Sequence, residues 1–410
     1  MSISAPAPAR GAVPLTQRSP APDLARGFML LLIAVAHAHM YLSGHPVGWR
    51  GYTLDGTALD RLVAGVQILL VDGRALPMFA ALFGYGLVQL AHRRLASGEG
   101  WPEVRRVLRR RSLWLLAFGF CHALLLFFGD ILGAYGLAGL VFIGFIRRSD
   151  RALAWAAGVG AVLHVVVVAL LGMLTLNAGK GDTPAAMADP VAAMVMRLIG
   201  WSGMTPTFFL VSVVPPFMLG IWAARRRLLE EPEAHRAPLT RIAVAGTAIS
   251  VVGGLPLTLA DTRLWTPGDE LSVSAYALHS VTGIAGGLAY AALVGLVVAR
   301  RERAGRRSGA VTQALAACGQ WSLTCYLLQS VVFVALFAPY LGGLSTRVGD
   351  AAASGIAVLT WLGTVVLAAL LSRTGRRGPA ETALRRLTYR RVRHARPSHP
   401  QRPGRDHHPG

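Results

Sequence analysis

From Ala152 to Leu176 the chain reads ALAWAAGVGAVLHVVVVALLGMLTL, with no acid, lysine or arginine in it. About 20 apolar residues suffice to cross a bilayer as a helix, and comparable runs recur down the chain. No other feature restricts the fold so strongly, because a segment in lipid must satisfy its backbone amides and carbonyls internally. A helix does this by itself, whereas a β-barrel needs short alternating segments, and none are present. The sequence therefore predicts an all-α fold, a polytopic transmembrane helical bundle. Composition agrees: 15% of the residues are charged, against about a quarter in water-soluble domains.

Ten spans are expected, at 24–42, 62–90, 112–128, 131–146, 152–176, 207–224, 242–260, 275–299, 315–337 and 351–371. The second is interrupted by VDGRALP, and the sixth contains Pro215-Pro216. With both termini inside, 34 of the 41 basic residues fall in the N-terminal segment, the inner loops and the C-terminal tail, as the positive-inside rule requires. This alternation also accounts for the net charge of +21 without nucleic acid. The partners it implies are membrane lipids, including anionic head groups, in a multi-pass protein of the cell membrane; protein partners are not legible. Residues 1–22, rich in Ala and Pro, read as a disordered cytoplasmic tail, 23–372 as the bundle, and 373–410 as a basic cytoplasmic tail, amphipathic helix first and then disordered.

Ionisable groups inside a span are costly, so each is a candidate site. The first span, DLARGFMLLLIAVAHAHM, carries Asp23, Arg26, His37 and His39. At about 100° per residue Asp23, Arg26 and His37 share a face while His39 points nearly opposite. From Asp23 to His37 the helix climbs about 21 Å at about 1.5 Å per residue. The stripe thus runs from the cytoplasmic surface into the outer half, as a pathway or a site reached from two sides would. The competing reading is an N-cap aspartate with a snorkelling arginine, and an interfacial histidine belt. Asp72 and Arg74 in the interrupted second span form an expected pair facing the same interior, with His279 on the opposite wall; alternatively 71–77 is a short outer loop. Tyr326 and Gln329, three apart on one face, can hold a head group or join helices by hydrogen bonds.

Other polar residues have simpler readings. His122 reads as a satisfied core histidine, His164 as structural, and Asp130 as a helix cap or proton acceptor near the outer mouth. Arg109, Arg110 and Arg111 either set topology or bind phosphate. Cys121, Cys318 and Cys325 lie in apolar runs without metal spacing and read as small buried residues. No metal site is expected, and no P-loop, HExxH, EF-hand or GxSxG pattern occurs.

Several stretches together resemble one family. The Asp-x-x-Arg-Gly start of the first span, FAALFGYGL (79–87), GDILGAYGLAGL (129–140), WSLTCYLLQS (321–330) and GPAETALRRLTY (378–389) follow the order of matching elements in the YeiB-like family of bacterial membrane proteins of unknown function. Pro22, Gln320 and Cys325 depart from its pattern, and His37 stands where that family usually carries Asn. A histidine there resembles the first helix of membrane acyltransferases that modify sugars and lipids, in which it is thought to be catalytic. The resemblance implies His37 as a base, with acyl-coenzyme A as the acyl donor, no bound cofactor, and a membrane or cell-envelope acceptor. A histidine near neutral pKa suits that chemistry. A transporter or lipid-handling permease is the alternative, and a non-catalytic membrane scaffold a third.

Overall fold

The computed structural model describes residues 20–178, 186–305 and 309–389, and the described residues form an all-α bundle without strands. Fourteen helices follow one another: α1 Pro20–Ala38, α2 Ala58–Leu70, α3 Ala75–Ala96, α4 Trp101–Leu125, α5 Ile131–Phe142, α6 Asp150–Ala178, α7 Pro190–Met204, α8 Leu210–Arg225, α9 Arg236–Asp261, α10 Asp269–Arg303, α11 Ala310–Gln320, α12 Ser322–Phe337, α13 Asp350–Ser372 and α14 Pro379–Tyr389. Each of the ten expected segments coincides with one of these helices or with a consecutive pair. By length and composition, six stretches can cross a membrane, or eight if each bent pair is one span. The third and fourth expected segments fall short of that test for different reasons. Five arginines occupy the first half of α4, and α5 with its 3₁₀ extension Ile143–Arg147 is a short apolar helix.

Local sequence explains the starts and stops. Thr57 and Asp60 form a reciprocal capping box at α2, Asp130 caps α5 through the Gly133 amide at 2.6 Å, and Asp189 caps α7 ahead of Pro190. Such caps contribute about 1 kcal/mol each. In α10, Asp269 and Glu270 occupy the first turn and Arg300, Arg301 and Arg303 the last, which complements the helix dipole.

The bundle faces outward with large apolar side chains. Trp155, Val162 and Leu174 on α6, Val252 on α9 and Leu359 on α13 are all exposed; in water such a surface would be unstable, and in lipid it is solvated. Cys121 lies on this outward face, in contrast to the buried Cys318 and Cys325. Inside, helices approach closely wherever a side chain is missing. A Cβ on Gly27 would collide with the carbonyl of Leu315, and one on Gly319 with the carbonyl of Asp23, so α1 and α11 meet backbone to backbone. The Trp361 indole, on α13, donates to the carbonyl of Gly27 at 3.1 Å.

Three departures from the expected spans bear on function. Helix α1 begins at Pro20, so Asp23 is within its first turn and Ala21-Pro22 belong to the helix, not to the tail; residues 1–19 lie outside the described part. Helix α7, hidden in an apolar stretch read as loop, precedes the sixth segment and joins it through a π-helical turn, Thr205–Phe209. The ninth segment is broken at Trp321, where α11 and α12 meet at 84°. The expected amphipathic tail helix is α14; residues 390–410 lie outside the described part.

Candidate functional site

Asp23 and Arg26 form an ion pair at 2.9 Å at the start of α1. Arg111 lies among Tyr389, Arg26 and Glu381, so two of the stretches that carry the resemblance, the start of α1 and 378–389, converge at this end. Glu381 has a second task. Its carboxylate accepts the Leu323 amide at 2.7 Å, the Thr324 amide at 3.2 Å and the Thr324 hydroxyl at 2.5 Å. Trp321, at the N-cap of α12, supplies no side-chain bond, so α14 caps α12 from 58 residues away.

At the other end of α1 the two histidines part company, and each enters its own polar cluster. His39 stacks on Tyr52 with ring centroids 4.0 Å apart and bonds the Arg50 carbonyl at 3.0 Å. Arg50 Nε is 3.6 Å from the buried Asp72 carboxylate. Burial opposes the Arg50 charge, but Asp72, with help from the neighbouring tyrosines, raises its pKa above the ordinary value. The loop that carries these residues is pinned from three helices: Asp261 accepts the amides of Trp49 and Arg50, each at 2.8 Å, Asp350 accepts from Thr53, and Asp60 caps 57–60 and accepts the Ala351 amide.

Arg74 is fully buried, but its hydrogen bonds go to carbonyls, a hydroxyl and an imidazole and not to the expected Asp72 carboxylate. Its guanidinium donates to the hydroxyl and carbonyl of Ser250, to the carbonyls of Ile68 and Asp72, and lies 2.6 Å from His279 Nε2. The Asp72 carboxylate turns to Arg50 instead. Gly73 has φ +72°, a conformation open to glycine, and this kink swings the two side chains apart. Helices α2 and α3 nevertheless run on as one apolar stretch across the break. That break lies against α10, since a Cβ on Gly283 would meet the Gly73 carbonyl. Asp72 and Arg74 are thus buried within the protein, with the break against α10.

His37 enters the other cluster. Its ring lies 4.5 Å from Phe127 and 6.3 Å from Tyr326, and no described residue hydrogen-bonds to it. The shared site expected for His37, Asp72, Arg74 and His279 does not form. His279 faces Arg74 and the Ile68 carbonyl, not the α1 stripe, because α10 packs on the break and not on the last turn of α1. The neighbours of His37 are residues read as structural. His122, whose ring is 4.8 Å from Tyr326, bonds Asp130 and Ser330 at 2.9 Å each. Tyr326 and Gln329 are buried as expected of a common face, yet the Tyr326 hydroxyl and both ends of the Gln329 amide have no hydrogen-bond partner among the described residues. His164 bonds Ser212 at 3.0 Å, a structural role. Ser330 was legible as the last residue of WSLTCYLLQS, but only the fold brings it to His122, 208 residues away.

Fold and clusters define an all-α membrane protein with a buried histidine–carboxylate–hydroxyl core. Residues 223–391 match the family described as "Protein of unknown function (DUF418)". The chain is 28% identical over 407 residues to the uncharacterized protein YxaH of Bacillus subtilis (strain 168), covering 90% of this chain and 93% of that protein. It is 26% identical over 342 residues to the uncharacterized protein YeiB of Escherichia coli (strain K12), covering 77% and 81%. By these matches the chain is similar to the YeiB-like DUF418 proteins, in its C-terminal part by the family model and over most of its length by the two relatives.

Proposed function

We propose that this protein is a bacterial cell-membrane acyltransferase that moves an acyl group from cytoplasmic acyl-coenzyme A to a hydroxyl or amine acceptor in the membrane or envelope. His37 is the base that takes the acceptor's proton. One observation carries the reading: of the histidines on the spanning helices near the polar clusters, His39, His122, His164 and His279 are each committed to a hydrogen bond, while His37 is partly exposed and uncommitted. A base must keep a lone pair for its substrate. The N-terminus and C-terminus are cytoplasmic in this reading, and the donor's phosphates meet Arg26 and the arginines at 109–111. The permease alternative draws no comparable support, because Arg74 is fixed by five contacts and cannot serve as a moving carrier.

The test is transfer of radiolabelled acyl groups from coenzyme A thioesters to lipid and envelope fractions in membranes containing the full chain. His37→Ala abolishes transfer while the protein keeps its detergent-extracted size and melting profile. Undiminished transfer by a folded His37→Ala protein overturns the assignment.

A further inference from the structure

Ser330 sits one turn beyond Tyr326 on α12 and completes an arrangement that a single base at His37 does not require. Its Oγ is 2.9 Å from His122 Nε2, and His122 Nδ1 is 2.9 Å from Asp130 Oδ1. The second oxygen of Asp130 accepts the Gly133 amide at 2.6 Å, so the carboxylate cannot turn away. A carboxylate accepting at Nδ1 fixes the ring proton there and leaves Nε2 as an acceptor for the Ser330 hydroxyl at 2.9 Å, much closer than the hydroxyl's other acceptor, the Tyr326 carbonyl at 3.5 Å. Hydroxyl, base and orienting acid in series are the features of an activated nucleophile, recognised by geometry and not by chain order. A purely structural role does not explain the surroundings. The Gln329 amide, 2% exposed and next to Ser330 in the chain, has no partner among the described residues, and the Tyr326 hydroxyl, 3% exposed, has the Ile131 amide near it but donates to no described acceptor. An orphaned buried polar group costs about 1–3 kcal/mol, and donors left free beside a nucleophile suit a developing oxyanion.

We infer that Ser330 is an acyl-carrying nucleophile activated by His122 and Asp130, so that transfer proceeds through a covalent ester on the enzyme. This rests on the acyl-transfer reading above. In the first half-reaction Ser330 Oγ bonds to the thioester carbonyl carbon and its proton passes to His122 Nε2. The carbon–sulfur bond then breaks, and the thiolate, conjugate base of a thiol with pKa about 8.5, departs without taking that proton. His122 holds the proton as an imidazolium against Asp130. In the second half-reaction the acceptor oxygen or nitrogen bonds to the acyl carbon as its proton passes to His37. The bond to Ser330 Oγ breaks, and His122 returns its proton to the serine. His37 releases the acceptor's proton to the thiolate or to water. Two histidines, each beside the Tyr326 ring, thus handle two protons.

A fluorophosphonate probe, which phosphonylates activated serines whatever their natural donor, tests the inference on the full chain in membranes. The probe labels the peptide containing Ser330. Ser330→Ala removes the label, and His122→Asn slows labelling at least about 100-fold. Ser330→Cys, tested beside it, is modified by a thiol alkylator at position 330 itself, resolved by fragmentation from Cys318 and Cys325, and guards against a misfolded alanine variant. No label on Ser330 in the wild type, or equal labelling in Ser330→Ala, overturns the inference. The outcome for the acyl-transfer reading is separate: a labelled Ser330 without transfer from any coenzyme A thioester overturns that donor assignment and leaves the activated serine, whereas transfer that survives Ser330→Ala overturns the covalent route and leaves His37 as base.

Discussion

Glu381→Ala should loosen the start of α12 without touching any residue of that helix. Glu381 accepts three hydrogen bonds there, two from backbone amides that an α-helix leaves without partners in its first turn. Hydrogen bonds to a charged group contribute about 1.5–3 kcal/mol each, but they share one carboxylate, and water reaches this half-buried site once the side chain is gone. A local loss of about 2 kcal/mol is the reasonable figure, close to the upper range for a lost cap. In exchange terms that is a factor of about 30. Hydrogen–deuterium exchange of detergent-solubilised protein reads it directly: the amides of Leu323 and Thr324 should exchange about 30-fold faster, while those in the middle of α9 and α10 stay unchanged. Glu381→Gln keeps one acceptor oxygen and should fall between. If the alanine variant leaves exchange at 322–325 unaltered, α14 is not the cap of α12 and the reasoning fails.

Two further outcomes follow from the cluster around Arg50 and Arg74. Arg74→Ala strips hydrogen bonds from the Ser250 side chain and from the carbonyls of Ile68, Asp72 and Ser250 in a dry interior, and should cost about 3–5 kcal/mol; a thermal unfolding midpoint in detergent equal to wild type would refute this. Asp261→Asn leaves one of its two acceptor oxygens for the Trp49 and Arg50 amides, so exchange at those amides should rise about tenfold for a loss of about 1.5 kcal/mol, with α9 itself unaffected.

Much of the bundle was legible because lipid imposes one demand on every span, and apolar length reports it. The caps at Asp130 and the tail helix α14 were legible too, since each is decided by residues within one or two turns. What could not be read was any contact made across the fold. His122 and Asp130 are eight residues apart and look like turn furniture; only α12, two hundred residues later, supplies the hydroxyl that gives them a common direction. Helical phase separated His37 from His39 correctly, but phase alone does not say which neighbour stands on each side, and so His279 was placed with His37, whereas it faces Arg74 and the Ile68 carbonyl. The side chains of Asp72 and Arg74 misled in a similar way. Their proximity in sequence suggests a pair, while the left-handed backbone at Gly73 sends them to different partners. Helix α7 escaped notice because its apolar residues adjoin the sixth span across Pro206, and a proline in that position reads as a boundary.

Helix α1 acts as a ruler. Its zero mark is set where Gly27 and Gly319 let two backbones touch, and its scale is the fixed rise of an α-helix, so the imidazole of His37 is placed by counting residues from a contact far from it. Adding or removing one residue between Gly27 and His37 would turn the ring by about 100° and slide it by about 1.5 Å, carrying it off the Tyr326 side. Side chains along that interval can vary while they still pack, but the interval itself cannot change length.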